Sequence, residues 1–224
     1  LHLSLRRQRQ MCIRDRIFNA LHGKYGEDGF AQSYFECLRI PYTHSGVISS
    51  YNAMNKIISK EIFKKNKINS PEYFVLQKQD YNKTKLVQSI KSKKIKFPIV
   101  VKPINEGSSI GVRICKNISD LNKSTKFLFK EYIELIFEPY IGGQEIQVAV
   151  INGEPLGAIE LEPKRQFYDY KAKYSKAAKT KHIMPANLKR FKYKEALQIA
   201  KKAHNALGCK GVTRSDFKFF KNSH

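Results

Sequence analysis

A lysine followed by a loop of small residues is the first feature of the sequence that could do chemistry. Lys102 lies near the end of the β-branched run Phe97–Pro103, which predicts a buried strand, and Asn105–Gly111 (NEGSSIG) follows it. Glycines let main-chain N–H groups approach phosphate oxygens closely, and the Lys102 ammonium and the hydroxyls of Ser108 and Ser109 can donate to them. The loop lacks the ending of a Walker A motif, and an ordinary glycine-serine turn would look similar.

Two further groups combine acidic residues with possible partners. Residues 138–145 (EPYIGGQE) place an acidic residue on each side of a Gly-Gly pair, which predicts a hinge between lobes, where adenine and ribose commonly bind. Arg214 and Asp216 lie two positions apart and point to the same side of a predicted strand. They offer an anion clamp and a magnesium ligand. A plain strand connection and a salt bridge at a sheet edge are the alternatives.

Two more segments are predicted loops. Residues 166–174 (QFYDYKAKY) lack apolar periodicity, and tyrosines mixed with lysines can form a lid over an anionic substrate. His22 stands at the mouth of a glycine-rich turn (HGKYGEDG), where a solvent-exposed histidine is the usual interpretation.

The elements that must position these residues alternate between helix and strand. Apolar spacing predicts helices over 53–66 and 193–207, and Ser119 is a candidate N-cap of another that runs to about residue 130. Strands are predicted over 112–115, 145–151, 155–161 and 210–217. Asn152-Gly153 predicts a tight hairpin between the second and third of these strands.

Composition excludes several classes of protein. The chain has 224 residues with 42% hydrophobic residues, which suits a globular protein, and no apolar run approaches the roughly 18 residues of a membrane span. The net charge of +23 comes mostly from lysine, 32 of 42 basic residues, spread over the chain. Nucleic-acid modules favour clustered arginine with aromatics, so we expect no nucleic-acid partner. The scattered cysteines predict free thiols and no zinc site.

The order of these segments resembles the D-alanine–D-alanine ligase family of the ATP-grasp superfamily. From about residue 19 to residue 217 the matching segments are HGKYGEDG, IPYTHSGV, AMNK, VVKPINEGSSIGV, EPYIGGQEIQVAV, FYDYKAKY and CKGVTRSDF. Other ATP-grasp enzymes share the lysine and the hinge, whereas EGSSIGV together with FYDYKAKY is specific to this family.

The resemblance implies an α/β (α+β) ATP-grasp fold in which two α/β subdomains, residues 53–140 and 141–224, hold ATP between them. Residues 17–52 would be a remnant of the N-terminal α/β substrate domain. Residues 1–16 hold five of the ten arginines and look like a junction foreign to the rest, with a native, disordered basic arm as the alternative.

The resemblance also implies a reaction. ATP phosphorylates the carboxylate of one D-alanine to give an acyl phosphate and ADP, and the amine of a second D-alanine attacks it and displaces phosphate, which gives the dipeptide for peptidoglycan synthesis. A cytoplasmic enzyme that uses Mg²⁺ or Mn²⁺ and is a homodimer when full length is expected. The implied site residues are Lys56 and Lys102 for the phosphates, Glu138 and Ile141 for adenine, Glu145 for ribose, Ser108, Ser109, Lys173 and Tyr174 in the loops that close over the site, His22, Tyr168 and Arg214 for D-alanine and the oxyanion, and Asp216 for the metal.

The sequence departs from the family pattern in four places. No Gly-rich Ser-Glu-Arg segment precedes His22, and the chain ends before the Glu-x-Asn-Thr-x-Pro-Gly segment that carries the remaining metal ligands. With one of three expected metal ligands, the chain is expected to be inactive or nearly so. Pro139 stands where many members have lysine, and Asn55 stands where aspartate is usual. The alternatives are a D-alanine–D-lactate or D-alanine–D-serine ligase, a non-catalytic nucleotide-binding module and, more remotely, a nucleic-acid binder.

Overall fold

Two four-stranded antiparallel sheets form the framework of the protein in a computed structural model that describes residues 16–162 and 180–220. The helices in these residues are α1 (Phe30–Cys37), α2 (Val47–Met54), α3 (Lys56–Lys65), α4 (Lys83–Ser92), α5 (Ile118–Leu128) and α6 (Arg190–Ala206), with a short 3-10 helix at Lys78–Asp80. The strands are β1 (Phe74–Gln77), β2 (Ile99–Pro103), β3 (Arg113–Cys115), β4 (Glu134–Pro139), β5 (Gln144–Ile151), β6 (Glu154–Glu162), β7 (Lys181–Ile183) and β8 (Val212–Phe219). The predicted α/β (α+β) class is confirmed.

The first sheet has the strand order β1-β4-β2-β3 and packs against α4 and α5. Its core is a cluster of buried apolar side chains, in which the rings of Phe74 and Phe137 stack with centroids 4.6 Å apart. Leu86 of α4 and Leu121 of α5 are fully buried against this sheet. Burial of each such side chain contributes about 1.5–3 kcal/mol, so this core fixes the ends of β2 and β4.

The second sheet has the strand order β7-β6-β5-β8 and packs against α6. Small residues of α6, Ala196 and Ala200, lie on Val148 and Val150 of β5, and these four side chains are buried. The predicted Asn152-Gly153 hairpin is confirmed, because both residues have positive φ (50° and 83°), as a two-residue turn of this kind requires.

Two helix starts differ from the prediction. The helix predicted over 53–66 is two helices, because Asn55 has an extended backbone (φ −77°, ψ 109°) between α2 and α3. Its side-chain oxygen accepts from the N–H groups of Ile57 and Ile58 at 3.0 and 3.1 Å and so caps α3. The prediction of Ser119 as a cap is wrong, since Asn117 caps α5 by accepting from Asp120 N at 2.9 Å.

Two further findings concern membrane-spanning helices and cysteines among the described residues. None of the helices in 16–162 and 180–220 has the length and apolar character needed to cross a membrane. The cysteines in these residues, Cys37, Cys115 and Cys209, are free thiols, as the sequence predicts.

Candidate functional site

A cavity of about 710 Å³ is lined by residues of both sheets, together with α3 and α6. Lys102 and Asp216 line the same cavity, although they belong to different sheets. The residues of the predicted site that line it are Lys56, Lys102, Ser109, Glu138, Ile141, Glu145, Arg214 and Asp216. Tyr168, Lys173 and Tyr174 lie outside the described residues.

Glu138 forms the charged floor of this cavity. It lies in β4 beside β2, and its side chain is buried between two lysines. One carboxylate oxygen is 2.5 Å from the Lys102 ammonium and the other is 2.9 Å from the ammonium of Lys60 in α3. Burial alone would raise the pKa of Glu138, but Lys102 and Lys60 lower it below its ordinary value. The carboxylate is therefore ionised and fully engaged by the protein.

Lys56 lies in the first turn of α3, where the Asn55 cap places it against the loop after β2. Its ammonium donates to the carbonyl oxygens of Glu106 at 2.6 Å and Ile104 at 3.2 Å. Burial and, after it, the nearby Lys102 lower the pKa of Lys56 to about 8, against the opposing pull of Glu138 and Glu106. This lysine thus ties α3 to the loop that carries the serines.

The serine loop has an unusual backbone. Ser108, Ser109 and Gly111 all have positive φ, at 50°, 62° and 70°. A side chain at Gly111 would meet the Pro103 ring at 2.7 Å, so the loop turns tightly over the end of β2. Ser109 lines the cavity and Ser108 lies next to it in the loop. Such a turn of small residues leaves main-chain groups accessible to a phosphate.

The glycine-rich turn that holds His22 approaches the serine loop. A side chain at Gly107 would lie 3.5 Å from the Cα of Gly23, which follows His22. The His22 side chain is 75% exposed and its Nδ1 is 3.8 Å from the Glu27 carboxylate. His22 is not among the residues that line the cavity, but its turn borders the same loop.

Three residues of β8 point their charged side chains along one face of the strand. Arg214 donates to both oxygens of Asp216, at 2.9 and 3.3 Å, and both side chains are about half exposed. Lys218 donates to the Glu145 carboxylate of β5 at 2.7 Å. The second sheet therefore presents two cations and two carboxylates to the cavity wall.

The connection between β4 and β5 is held close to the end of β8. Gly143 has a φ of 87°, and a side chain there would lie 2.2 Å from the carbonyl oxygen of Phe219. Only glycine fits this close approach of two main chains, which explains one glycine of the predicted hinge.

Sequence reasoning did not single out Lys60 or Lys218, although both line the cavity. Lys60 stands four residues after Lys56 and therefore on the same helix face, and Lys218 stands two residues after Asp216 and on the same strand face. Those spacings were the available signals, but abundant lysine elsewhere in the chain obscured them.

The described residues offer few side chains that could bind a metal ion. No group of three or more His, Cys, Asp or Glu side chains in residues 16–162 and 180–220 is arranged to hold one. Asp216 offers a carboxylate at the cavity wall, and Mg²⁺ typically uses one or two carboxylates together with substrate phosphates. The donor type fits such an ion, while Asp216 alone does not form a complete site.

Comparison with known proteins gives consistent matches. Residues 62–224 match the family model described as the D-ala D-ala ligase C-terminus. A D-alanine–D-alanine ligase from Pelagibacter ubique (strain HTCC1062) is 56% identical over 208 residues, which are 92% of this chain and 66% of that protein.

Two solved structures are similar in fold. The D-alanine–D-alanine ligase from Bacillus anthracis complexed with ATP has a TM-score of 0.77 and 29% identity, over 96% of this chain and 67% of that one. The VanG D-Ala:D-Ser ligase from Enterococcus faecalis has a TM-score of 0.81 and 29% identity, over 94% of this chain and 61% of that one. The chain thus spans about two thirds of the length of the proteins that it matches.

Proposed function

The chain belongs to the D-alanine–D-alanine ligase family, and from that premise we propose that it takes part in the ATP-dependent joining of two D-alanines through an acyl phosphate. The observation that supports the proposal most is the shared cavity. It gathers the cations of α3 and β2, the connection between β4 and β5, and the Arg214–Asp216 pair of β8 into one space. A nucleotide and a small carboxylate substrate are the ligands that such a set of groups suits.

The proposed roles follow from charge and position. Lys102 and Lys56 meet the phosphates of ATP beneath the serine loop with Ser108 and Ser109. Adenine lies against Glu138 near the end of β4 and Ile141 in the connection that follows, and Glu145 meets the ribose. These assignments draw on the resemblance as well as on the walls of the cavity.

The substrate end of the site is proposed around β8. Arg214 neutralises the oxyanion that develops when the amine attacks the acyl phosphate, and His22 and Tyr168 contact D-alanine. Lys173 and Tyr174 close over the site and exclude water, which would otherwise hydrolyse the acyl phosphate. A Mg²⁺ or Mn²⁺ ion held in part by Asp216 would neutralise phosphate oxygens when bound.

The substitution Lys102→Met tests the nucleotide part of this proposal. Because a charged hydrogen bond to phosphate is lost, ATP should bind about 10- to 100-fold more weakly. Glu138 keeps its Lys60 partner in this variant, so the protein should still fold. Equilibrium dialysis with labelled ATP measures the affinity, and Lys64→Met, which removes an exposed lysine of α3, is the control. Failure of the folded unsubstituted chain to bind ATP would refute the proposal.

D-serine is a second candidate for the attacking amine. The chain is similar in fold to a D-Ala:D-Ser ligase, with a TM-score of 0.81, and D-serine is therefore retained as an alternative to D-alanine. Because this chain is expected to be inactive, the test uses the completed gene product. Mass spectrometry of the products that it makes from ATP with D-alanine alone, or with D-alanine plus D-serine or D-lactate, separates the candidates. D-alanyl-D-alanine as the main product of the mixtures supports the proposal, and a mixed product as the main one contradicts it.

The arrangement of the whole protein is proposed on the same family basis. Residues 53–140 and 141–224 would be the two ATP-grasp subdomains, and residues 17–52 would belong to a substrate domain. A cytoplasmic location and, for the full-length protein, a homodimer are proposed from the family resemblance. Sedimentation of the full-length protein tests the dimer.

A further inference from the structure

Lys60 is a buried lysine whose ammonium the protein surrounds. It lies one turn after Lys56 in α3, and only 8% of the residue is exposed. Its ammonium is 2.9 Å from one Glu138 oxygen, donates to the Pro71 carbonyl oxygen at 2.7 Å, and lies 5.2 Å from the centre of the Tyr73 ring. An ammonium group has three hydrogens, and these contacts give it partners in three directions. Lys60 is therefore fixed in place.

Lys102 holds the other oxygen of Glu138 from a more open position. Its side chain is 21% exposed, against 9% for Lys60, and it lines the cavity near the end of β2. The flexible lysine side chain can turn its ammonium from the carboxylate towards a ligand in the cavity. One carboxylate thus has a fixed counter-ion on one oxygen and a counter-ion that faces the cavity on the other.

A phosphate group in the cavity would compete with Glu138 for Lys102. If Lys102 moved to the phosphate and Glu138 had no other partner, a buried carboxylate would be left unpaired, which is strongly unfavourable. Lys60 on the opposite oxygen would leave Glu138 with a counter-ion in that case. The carboxylate would then stay ionised and in place without Lys102.

We propose that Lys60 is a positioning residue that holds Glu138 so that Lys102 can move from this carboxylate to the phosphates of the nucleotide. The inference rests on the proposed function, because it needs ATP to bind in this cavity. It assigns a role to a lysine that lines the cavity but whose ammonium is held by Glu138, Pro71 and Tyr73. The affinity for phosphate then depends on Lys60 through Glu138.

A double-mutant cycle on the 224-residue chain tests this inference. ATP affinity is measured by equilibrium dialysis for the unsubstituted chain, Lys60→Met, Lys102→Met and the double variant. In the unsubstituted background Lys102→Met should weaken ATP binding about 10- to 100-fold. In the Lys60→Met background, Lys102→Met should weaken ATP binding about threefold or less. The reason is that Lys102 stays on Glu138 when Lys60 is absent and therefore contributes no contact to the phosphates. Equal effects in the two backgrounds would overturn the inference.

Adenosine and two further variants separate positioning from structural damage. Adenosine carries no phosphate, so Lys60→Met should change its affinity about threefold or less while weakening ATP about tenfold or more. Lys60→Arg keeps the positive charge and should restore the full Lys102→Met effect. If Lys60→Met does not fold, Lys60→Gln keeps donors for Pro71 and Glu138 without the charge, and the same cycle decides. Equal losses for adenosine and ATP would mean a structural role and contradict the inference.

The outcome for the unsubstituted chain distinguishes this inference from the proposed function. If the unsubstituted chain binds ATP but the cycle shows no coupling between Lys60 and Lys102, only the inference fails. If the folded chain binds no ATP at all, the proposed function fails and the inference with it.

Discussion

At the scale of single residues, Lys56 shows how the cavity concentrates positive charge. Its ammonium is buried near Lys102, and main-chain carbonyl oxygens of Ile104 and Glu106 receive its hydrogen bonds. Carbonyl oxygens stabilise the ammonium less than a carboxylate would. The protein therefore holds a lysine whose charged form is disfavoured, which is typical of groups that await an anionic ligand.

The lowered pKa of Lys56 predicts a dependence of stability on pH. The pKa is about 8 in the folded protein and 10.5 in the unfolded chain. Between these values the unfolded state binds more protons, so the free energy of unfolding rises with pH over this window. Urea unfolding from pH 7 to 10 should show this rise in the unsubstituted chain and a smaller rise in Lys56→Met. Lys64→Met is the control, and an identical slope in the unsubstituted chain and Lys56→Met would contradict the prediction.

Two tyrosines set the upper pH limit of this unfolding experiment. Burial, together with the hydrogen bonds to Glu36 and Glu61, raises the pKa of Tyr42 and of Tyr73 to about 12. These raised values make stability fall above pH 10, because the unfolded tyrosines lose their protons first. The comparison of variants is therefore made below pH 10.

At the scale of elements, the break between α2 and α3 decides where Lys56 begins its helix. In a continuous helix Lys56 would be an interior residue. The extended backbone of Asn55 instead makes Lys56 the first residue of α3. The family usually has aspartate at this position, and either side chain offers an oxygen to the first N–H groups of the helix. The sequence departure at Asn55 is thus compatible with the cap.

Removal of this cap should cost stability. Asn55→Ala loses the hydrogen bonds to Ile57 and Ile58 and should lower the free energy of unfolding by about 1 kcal/mol, within a range of roughly 0.5–2 kcal/mol. Asn55→Asp restores an acceptor for both and is the matched control. Urea unfolding of the three proteins measures the difference, and equal stabilities of the alanine and asparagine proteins would show that the cap contributes nothing.

At the scale of the whole molecule, residues 43–49 connect distant parts of the chain. The Ser45 hydroxyl exchanges hydrogen bonds with the main chain of Lys210 at 3.1 and 3.2 Å, and the Ser49 hydroxyl donates to the Gly208 carbonyl oxygen at 2.7 Å. Lys210 and Gly208 belong to the turn between α6 and β8. The start of α2 and the residues before it are therefore attached to the turn that precedes β8 in the second sheet, while α3 borders the first sheet.

A substitution at Gly211 tests how strongly this segment is attached. A side chain there would lie 2.6 Å from the Thr43 carbonyl oxygen, at a φ of 62°. Gly153 also has positive φ, but a side chain there meets nothing closer than 3.7 Å. Gly211→Ala should therefore lower the free energy of unfolding by about 1–3 kcal/mol more than Gly153→Ala. Equal losses in urea unfolding would indicate that the segment is not held in this way.

The sequence predicted the features that depend on neighbouring residues. The strands β5 and β6, the Asn-Gly turn between them and the apolar spacing of α6 are local patterns, and the structure confirms them. The break at Asn55 escaped prediction because the apolar spacing continues through it. Whether a capping residue interrupts such a pattern depends on what its side chain meets in the folded protein.

Much of the candidate site was predictable as a set of residues but not as a network. Short motifs identified Lys102, Glu138 and Asp216, and the structure places all three on one cavity. The pairing of Lys60 with Glu138 joins a helix to a strand far along the chain, and no local spacing reveals it. The roles of these residues in binding and reaction remain predictions that the substitutions above test.

The close approach at Gly143 has a consequence for how this protein can change over time. Main-chain atoms of Gly143 and Phe219, and not side chains, fix the separation of the strand ends at this edge of the cavity. Residues near Gly143 can therefore be substituted without a change in the distance between the two main chains. Position 139, where proline replaces the lysine that many family members have, is an example. The distance between these two main chains is then independent of the side chains that line this edge of the cavity.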